Sequence, residues 1–176
     1  TITPADIDAA ADVIAAADVV ITQLEIMPEI GEYALRLAHE KGVRTILNPA
    51  PAAPISSDFV ALADFITPNE TELQSLAGTD ASPEDAARAL IKRDDQVIVV
   101  TLGKQGAQWV SRDDTGTAGT YPVEVVDTTG AGDAFNGGLA VAIAEGKSLD
   151  DALAFANAVA ALCVTRPGTA PSMPSR

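Results

Sequence analysis

Through residues 1–100 the chain alternates short apolar runs with helix-like stretches, and that alternation admits few folds. Val19-Val20-Ile21 reads as a buried strand ending at Gln23-Leu24-Glu25. Glu29 to Glu40 reads as a helix stopped by Gly42. Val43 to Leu47 is a second strand, running into Asn48-Pro49-Ala50-Pro51, where Pro49, Pro51 and Pro54 leave only a loop. Asp64 to Thr67 is a short strand. Asn69-Glu70-Thr71-Glu72 opens a helix that runs to Gly78, and Ser82 with Pro83 opens another. Val97 to Thr101, a continuous β-branched run, reads as a central strand. Strands separated by helices pair in parallel with helices on the sheet faces, so the expected class is α/β.

The flanks are less regular. Thr3, Pro4 and Asp6 give the opening segment a helix start with a capping box. Leu102 to Gly106 reads as a turn, and Ala107 to Ser111 and Thr120 to Val126 as more exposed strands around a polar loop. Ala131 to Glu145 and Leu149 to Val164 read as the last two helices, before a Pro- and Gly-rich tail from Arg166 to Arg176.

Composition excludes several kinds of function. With 11 basic and 25 acidic residues the net charge is −14, which argues against an extended nucleic-acid footprint or an anionic membrane surface. Cys163 is the only cysteine and lies in an apolar helical run, so it reads as a small core residue. His39 is the only histidine, which disfavours a histidine triad or a multi-histidine metal site; it lies near a helix end, where a cation suits the dipole. No apolar stretch reaches the length of a membrane span and there is no signal-peptide pattern, while a start at Thr1 rather than Met suggests a fragment or processed product.

The chemistry concentrates in Asp127-Thr128-Thr129-Gly130-Ala131-Gly132-Asp133-Ala134-Phe135-Asn136-Gly137-Gly138. Glycines and small residues let the backbone turn tightly with its N–H groups free, and the apolar segment Leu139 to Ala144 continues as a helix. A glycine loop feeding a helix N-terminus favours an anion. Asp133, in the same positive corner, can take a proton from a hydroxyl that attacks a phosphate. The run is neither common phosphate motif: Phe135 stands where the dinucleotide fingerprint needs a third glycine. In Gly146-Lys147-Ser148 the first glycine of a P-loop is replaced by Val141; that trio ends one helix and caps the next through Ser148 and Asp151. Ligands of parallel sheets bind outside the C-terminal strand ends. Glu25, Asn48, Asn69, Thr101, Gly103 and the Asp127–Asp133 loop are therefore expected to line one crevice.

These residues resemble a known family. The Asp127–Phe135 run resembles the C-terminal signature of the ribokinase-like sugar kinases, the PfkB family. Gln23-Leu24-Glu25, Asn48-Pro49-Ala50-Pro51-Ala52, Thr67-Pro68-Asn69-Glu70-Thr71-Glu72, Thr101-Leu102-Gly103-x-x-Gly106 and Val164-Thr165-Arg166-x-Gly168 resemble further segments of that family, in the same order and over nearly the whole chain. The resemblance implies a three-layer α/β/α fold with a mainly parallel sheet. In it, residues 1–176 form the C-terminal nucleotide-binding and catalytic part of a single domain whose N-terminal strands and lid are absent. It favours ribokinases over fructokinases or adenosine kinases, and so ATP-dependent phosphorylation of D-ribose in the cytoplasm by a parent protein dimerised through its lid.

The same resemblance implies roles for single residues. Asp133 is the general base facing the sugar hydroxyl, with Gly130, Ala131 and Gly132 forming the anion hole for the transferred phosphoryl group. Asn69 and Glu72 match an Asn-x-x-Glu pair that helps hold Mg²⁺, largely through water, and the phosphates; that spacing is equally a helix cap. Thr101, Gly103 and Gly106 fall on the nucleotide loop and Asn157 near the adenine, although an Asn in an Ala-rich helix also serves as a core hydrogen-bonder. Glu25 is a sugar-contacting acid, and Asp127, Thr129, Gly168 and Ser172 belong to a K⁺ loop built mainly from carbonyls. The rival readings are a fructokinase-like or nucleoside kinase of the same family, a non-catalytic nucleotide-binding module, and a truncated chain pairing through its sheet edge.

Overall fold

β-branched and aliphatic residues build four parallel strands: Val19–Gln23 (β1), Arg44–Asn48 (β2), Phe65–Ile66 (β3) and Val97–Thr101 (β4). The computed structural model describes residues 2–175. Val19 lies opposite Arg44, and Phe65 opposite both Ile46 and Val97. Ala107–Val110 (β5) and Thr115–Ala118 (β6) complete a six-stranded sheet in the order β1-β2-β3-β4-β5-β6. Ile46, Leu47, Ile66, Ile98, Val99 and Val100 are fully buried, as strands covered on both faces require, whereas Ile21 on the edge strand is 39% exposed.

Eight helices are present among the described residues: Pro4–Ala9 (α1), Ala11–Ala15 (α2), Pro28–Glu40 (α3), Ser57–Leu62 (α4), Glu70–Ala77 (α5), Pro83–Leu90 (α6), Ala131–Ala144 (α7) and Leu149–Cys163 (α8). Local chemistry sets most of their starts. Thr3 and Asp6 close the expected capping box on α1, and Asn69, Ser82 and Ser148 accept N–H groups from the first turns of α5, α6 and α8. Gly78 ends α5 in the left-handed conformation.

Three expectations change. The opening helix is two short helices separated at Ala10. Helix α4 is an addition, behind a proline-rich approach that reads only as loop; Ser56 caps it through the Phe59 N–H at 3.0 Å, and buried Phe59 and Val60 anchor it. Thr120 to Val126 is not a strand: β6 lies earlier, at Thr115–Ala118, and residues 119–126 are irregular. Pro122 has no N–H for a ladder, and Val125 and Val126 are 59% and 58% exposed, so alternation there does not reflect a buried face.

The chain forms two compact units, residues 1–100 with 110–115, and residues 101–109 with 116–176. In the first, α3 packs on β1 and β2, and α5 packs on α6. A polar network ties the N-terminal ends of its strands. The buried Asp64 accepts the Thr45 N–H at 2.9 Å and the Arg93 guanidinium at 2.6 Å, and Arg93 also donates to the Ala61 carbonyl at 2.8 Å. The fully buried Gln96 donates to the carbonyls of Val60 and Ala63, both at 2.7 Å. Asp64→Ala leaves the Thr45 amide without its acceptor and removes the buried carboxylate from Arg93, which keeps the Ala61 carbonyl and Asp95. It is expected to lower the unfolding free energy by about 3 kcal/mol, read from urea denaturation midpoints. In the second unit α7 packs on α8; a Cβ at Gly138 would stand 3.0 Å from Ala156 Cα, so any larger residue there requires the two helices to shift by a few tenths of an ångström.

Candidate active site

Helix α7 begins without a side-chain cap. Its N-cap is Gly130, at φ +79° and ψ 3°, a left-handed turn that glycine adopts without strain. The chain thus enters the helix without an N-cap side chain, and Gly132 and Asp133 in its first turn are both exposed. The Ala131 N–H bonds back to the Thr128 carbonyl at 3.2 Å. Behind the turn, the buried Asn136 donates to the Gly132 carbonyl at 3.0 Å, a contact with no distinctive signal in the sequence. The Ala131 N–H, expected to be free for an anion, is thus already taken, and what the helix start offers is an exposed carboxylate in the positive end of the dipole.

The loop before α7 is clamped to the loop after α8. Asp127 Oδ1 accepts the Thr129 N–H at 2.9 Å and its hydroxyl at 2.6 Å, while Oδ2 accepts the Gly168 N–H at 2.9 Å. Ser172 is fully buried; its Oγ lies 2.7 Å from the Gly168 carbonyl, 2.6 Å from that of Thr169 and 3.1 Å from Cys163 Sγ. Cys163 is a buried core residue, as expected, with a polar partner that composition could not disclose.

The Thr129 hydroxyl, followed by the Gly168 and Thr129 amides, holds the Asp127 carboxyl down to about 2 from an ordinary 3.8. A depressed folded-state pKa means the stabilisation is complete above the ordinary value and is lost as pH falls through the folded one. The clamp is therefore expected to persist through pH 4 and release toward pH 2. An NMR titration of the Gly168 amide checks this: its midpoint should lie near 2, and a midpoint at the ordinary carboxylate value would show the clamp absent in solution.

Of the residues assigned to the nucleotide, all but Asn69 fall in the same unit. Thr101 ends β4, and Gly103 and Gly106 flank a 3-10 turn, with Leu102 N–H bonded to the Gly106 carbonyl at 2.8 Å. The buried Asn157 donates to the carbonyls of Ala118 at 2.8 Å and Gly119 at 3.3 Å, so its amide holds the segment leaving β6.

Glu25, Asn48, Asn69 and Glu72 lie in the first unit. Glu25 is exposed just beyond β1. Asn69 Oδ1 accepts the Glu72 N–H and Glu72 Oε2 accepts the Asn69 N–H, both at 2.9 Å, so the capping reading of this pair is realised. The box uses one carboxylate oxygen of Glu72. Gln23 donates to Asn48 Oδ1 at 3.0 Å, and Asn48 Nδ2 donates to the Thr67 carbonyl at 2.8 Å. Among the described residues, no three His, Cys, Asp or Glu side chains gather to hold a metal ion, and no helix is long and apolar enough to cross a membrane.

Comparison with known proteins identifies the family. A ribokinase of Haemophilus influenzae is 38% identical over 161 residues, covering 89% of this chain and 53% of its own length. A deoxyribokinase of Salmonella typhi is 36% identical over 179 residues, covering 99% and 58%. The structure of Arabidopsis thaliana ribokinase complexed with ribose and ATP superposes with a TM-score of 0.88 at 34% identity, over 95% of this chain and 56% of that one. The chain thus spans a little over half the length of these relatives. The sequence pattern of the pfkB family carbohydrate kinases matches residues 3–176, and the chain belongs to that family.

Proposed function

We propose that the protein carrying this chain phosphorylates D-ribose with ATP in the cytoplasm, yielding D-ribose 5-phosphate and ADP. Residues 1–176 supply the nucleotide-binding and catalytic part of one α/β domain. The observation that carries the reading is the uncapped, glycine-turned start of α7 with Asp133 exposed in its first turn. Asp133 takes the proton of the sugar 5-hydroxyl as that oxygen bonds to the γ-phosphorus and the bond to the β,γ-bridging oxygen breaks, its electrons leaving with ADP. The backbone at Gly130, Ala131 and Gly132 faces the charge on the transferred group. Glu25 accepts hydrogen bonds from sugar hydroxyls. Thr101, Gly103, Gly106 and Asn157 shape the nucleotide side.

Mg²⁺ suits Asn69 and Glu72 as an outer-sphere ion. The capping box leaves Glu72 Oε1 to meet a metal-bound water, and Mg²⁺ keeps several waters beside the phosphates. K⁺ suits the clamped loops in a particular way. The Asp127 carboxylate already accepts three donors, so it shapes the loop, and the carbonyls supply the oxygens. The Gly168 carbonyl keeps a lone pair beyond the Ser172 hydroxyl, whereas the Thr169 carbonyl already accepts both the Ser172 hydroxyl and the Ser172 N–H. A cation held there would add positive charge beside the anion hole.

A second acceptor is 2-deoxy-D-ribose, favoured by the deoxyribokinase relative. The deciding assay is coupled ADP release by the whole protein with ATP and Mg²⁺ across ribose, 2-deoxyribose, fructose and adenosine. Ribose is expected to give the highest kcat/KM, with K⁺ raising the rate above Na⁺ or choline. Turnover with none of the four points to a nucleotide-binding module, and equal rates in the three salts remove the K⁺ reading. Gel filtration of the same protein tests the homodimer that the family resemblance implies.

A further inference from the structure

We infer that Asn48 is a positioning residue that sets the acceptor-side and metal-side elements of the first unit from one buried amide; the inference rests on the sugar-kinase function proposed for the site. Asn48 closes β2 and is 7% exposed. Its two amide ends have different partners, each distant in sequence. Oδ1 accepts from Gln23 Nε2 at 3.0 Å, at the end of β1, and Nδ2 donates to the Thr67 carbonyl at 2.8 Å, just past β3. Three adjacent parallel strands are thus tied at their C-terminal ends by a chain of two directional bonds.

Each end of that chain leads to a residue assigned to the site. Gln23 stands two residues before Glu25, and the Leu24 N–H between them bonds to the Ala50 carbonyl at 2.9 Å, in the loop that Asn48 opens. Thr67 stands two residues before Asn69, whose capping box with Glu72 starts α5. Pro68 has no N–H with which to hold this approach, so a side chain can grip it only through carbonyls, and Asn48 takes that of Thr67. The Thr67 N–H is already bonded to the Leu47 carbonyl at 2.9 Å. An amide is the side chain that can serve both ends, since one end accepts and the other donates. An aspartate accepts at both ends and would repel the Thr67 carbonyl; a leucine serves neither.

This asymmetry makes the role separable from plain stability. In the whole protein Asn48→Asp keeps an acceptor for Gln23 and loses the donor to Thr67. It is expected to raise the half-saturating Mg²⁺ concentration by about tenfold, the scale for outer partners of metal-binding groups, with the sugar KM within about twofold of wild type. Gln23→Met removes the donor at the β1 end and is expected to do the reverse, raising the sugar KM with little change in the Mg²⁺ response; it also serves as the second variant should Asn48→Asp not fold. Thermal midpoints are read in parallel. Lowered midpoints with the Mg²⁺ response and sugar KM of wild type in both variants would overturn the proposal, because a purely structural amide affects how much enzyme is folded and not the constants of the folded fraction. Asn69→Ala is the control. If it shifts the Mg²⁺ response and Asn48→Asp does not, the positioning role alone falls; if Asn69→Ala leaves that response unchanged, the metal-side reading falls and takes the proposal with it.

Discussion

In the whole protein Asp133→Asn is expected to lower kcat for the proposed sugar phosphorylation by about three orders of magnitude, within the range supplied by a positioned general base. The KM for ATP stays within about twofold of wild type, since the substitution leaves the glycine turn and the adenine side untouched. The amide keeps the size of the carboxylate and cannot accept the hydroxyl proton. Because Asp133 is exposed in the first turn of α7, the loss of its charge against the helix dipole costs at most about 1 kcal/mol, so the variant is folded and the defect lies in the chemistry. Steady-state coupled assays combined with calorimetric titration of nucleotide give the two numbers needed. A kcat within tenfold of wild type would remove Asp133 from the mechanism.

Gly106→Ala has the largest effect on folding. Gly106 sits at φ +95° and ψ −129°, a region that L-residues enter only under strain. A Cβ built there would stand 2.1 Å from the Ala118 carbonyl oxygen and 2.9 Å from both Gly119 C and Cα. These are backbone atoms of the segment that Asn157 holds by two hydrogen bonds, so no rotamer change relieves the contact. Strain of roughly 1–3 kcal/mol for the dihedral, with the clash added, gives an expected loss of about 4 kcal/mol, a large share of a typical domain's stability. Gly103→Ala is the internal comparison. Its φ is also positive, at +55°, but nothing lies within 4 Å of the new Cβ, so only the left-handed penalty of about 1–2 kcal/mol applies. Equal urea midpoints for the two variants would show that the β6 exit does not approach Gly106 in solution.

Much of the fold is written in short-range patterns. Capping boxes at Thr3–Asp6 and Asn69–Glu72, the serine caps at Ser82 and Ser148 and the glycine stop at Gly78 depend on residues within one helical turn of each other. Buried parallel strands such as Val97–Thr101 announce themselves as unbroken β-branched runs. The candidate catalytic loop is equally legible, because a glycine turn, small residues and a first-turn carboxylate are all local. Helix α4 is not legible although its cap, Ser56, is a local signal; its length of six residues gives periodicity too little to act on.

Tertiary structure decided the pairing over distance. Whether an apolar alternation becomes a strand depends on an edge being available: Thr115–Ala118 joined the sheet and residues 119–126 did not. The joining of Asp127 to Gly168 spans 41 residues, that of Asn157 to Ala118 spans 39, and those of Asn48 to Gln23 and Thr67 span 25 and 19. No local propensity distinguishes an Asn that caps a helix from one that bridges strand ends, because the side chain is the same and only its distant partner differs. The sequence by itself therefore determined the elements, their caps and the chemical character of the loop at Asp133. Folding determined which buried polar groups meet, since a hydrogen bond needs its partner within about 3 Å and correctly aimed, a condition only the folded backbone sets.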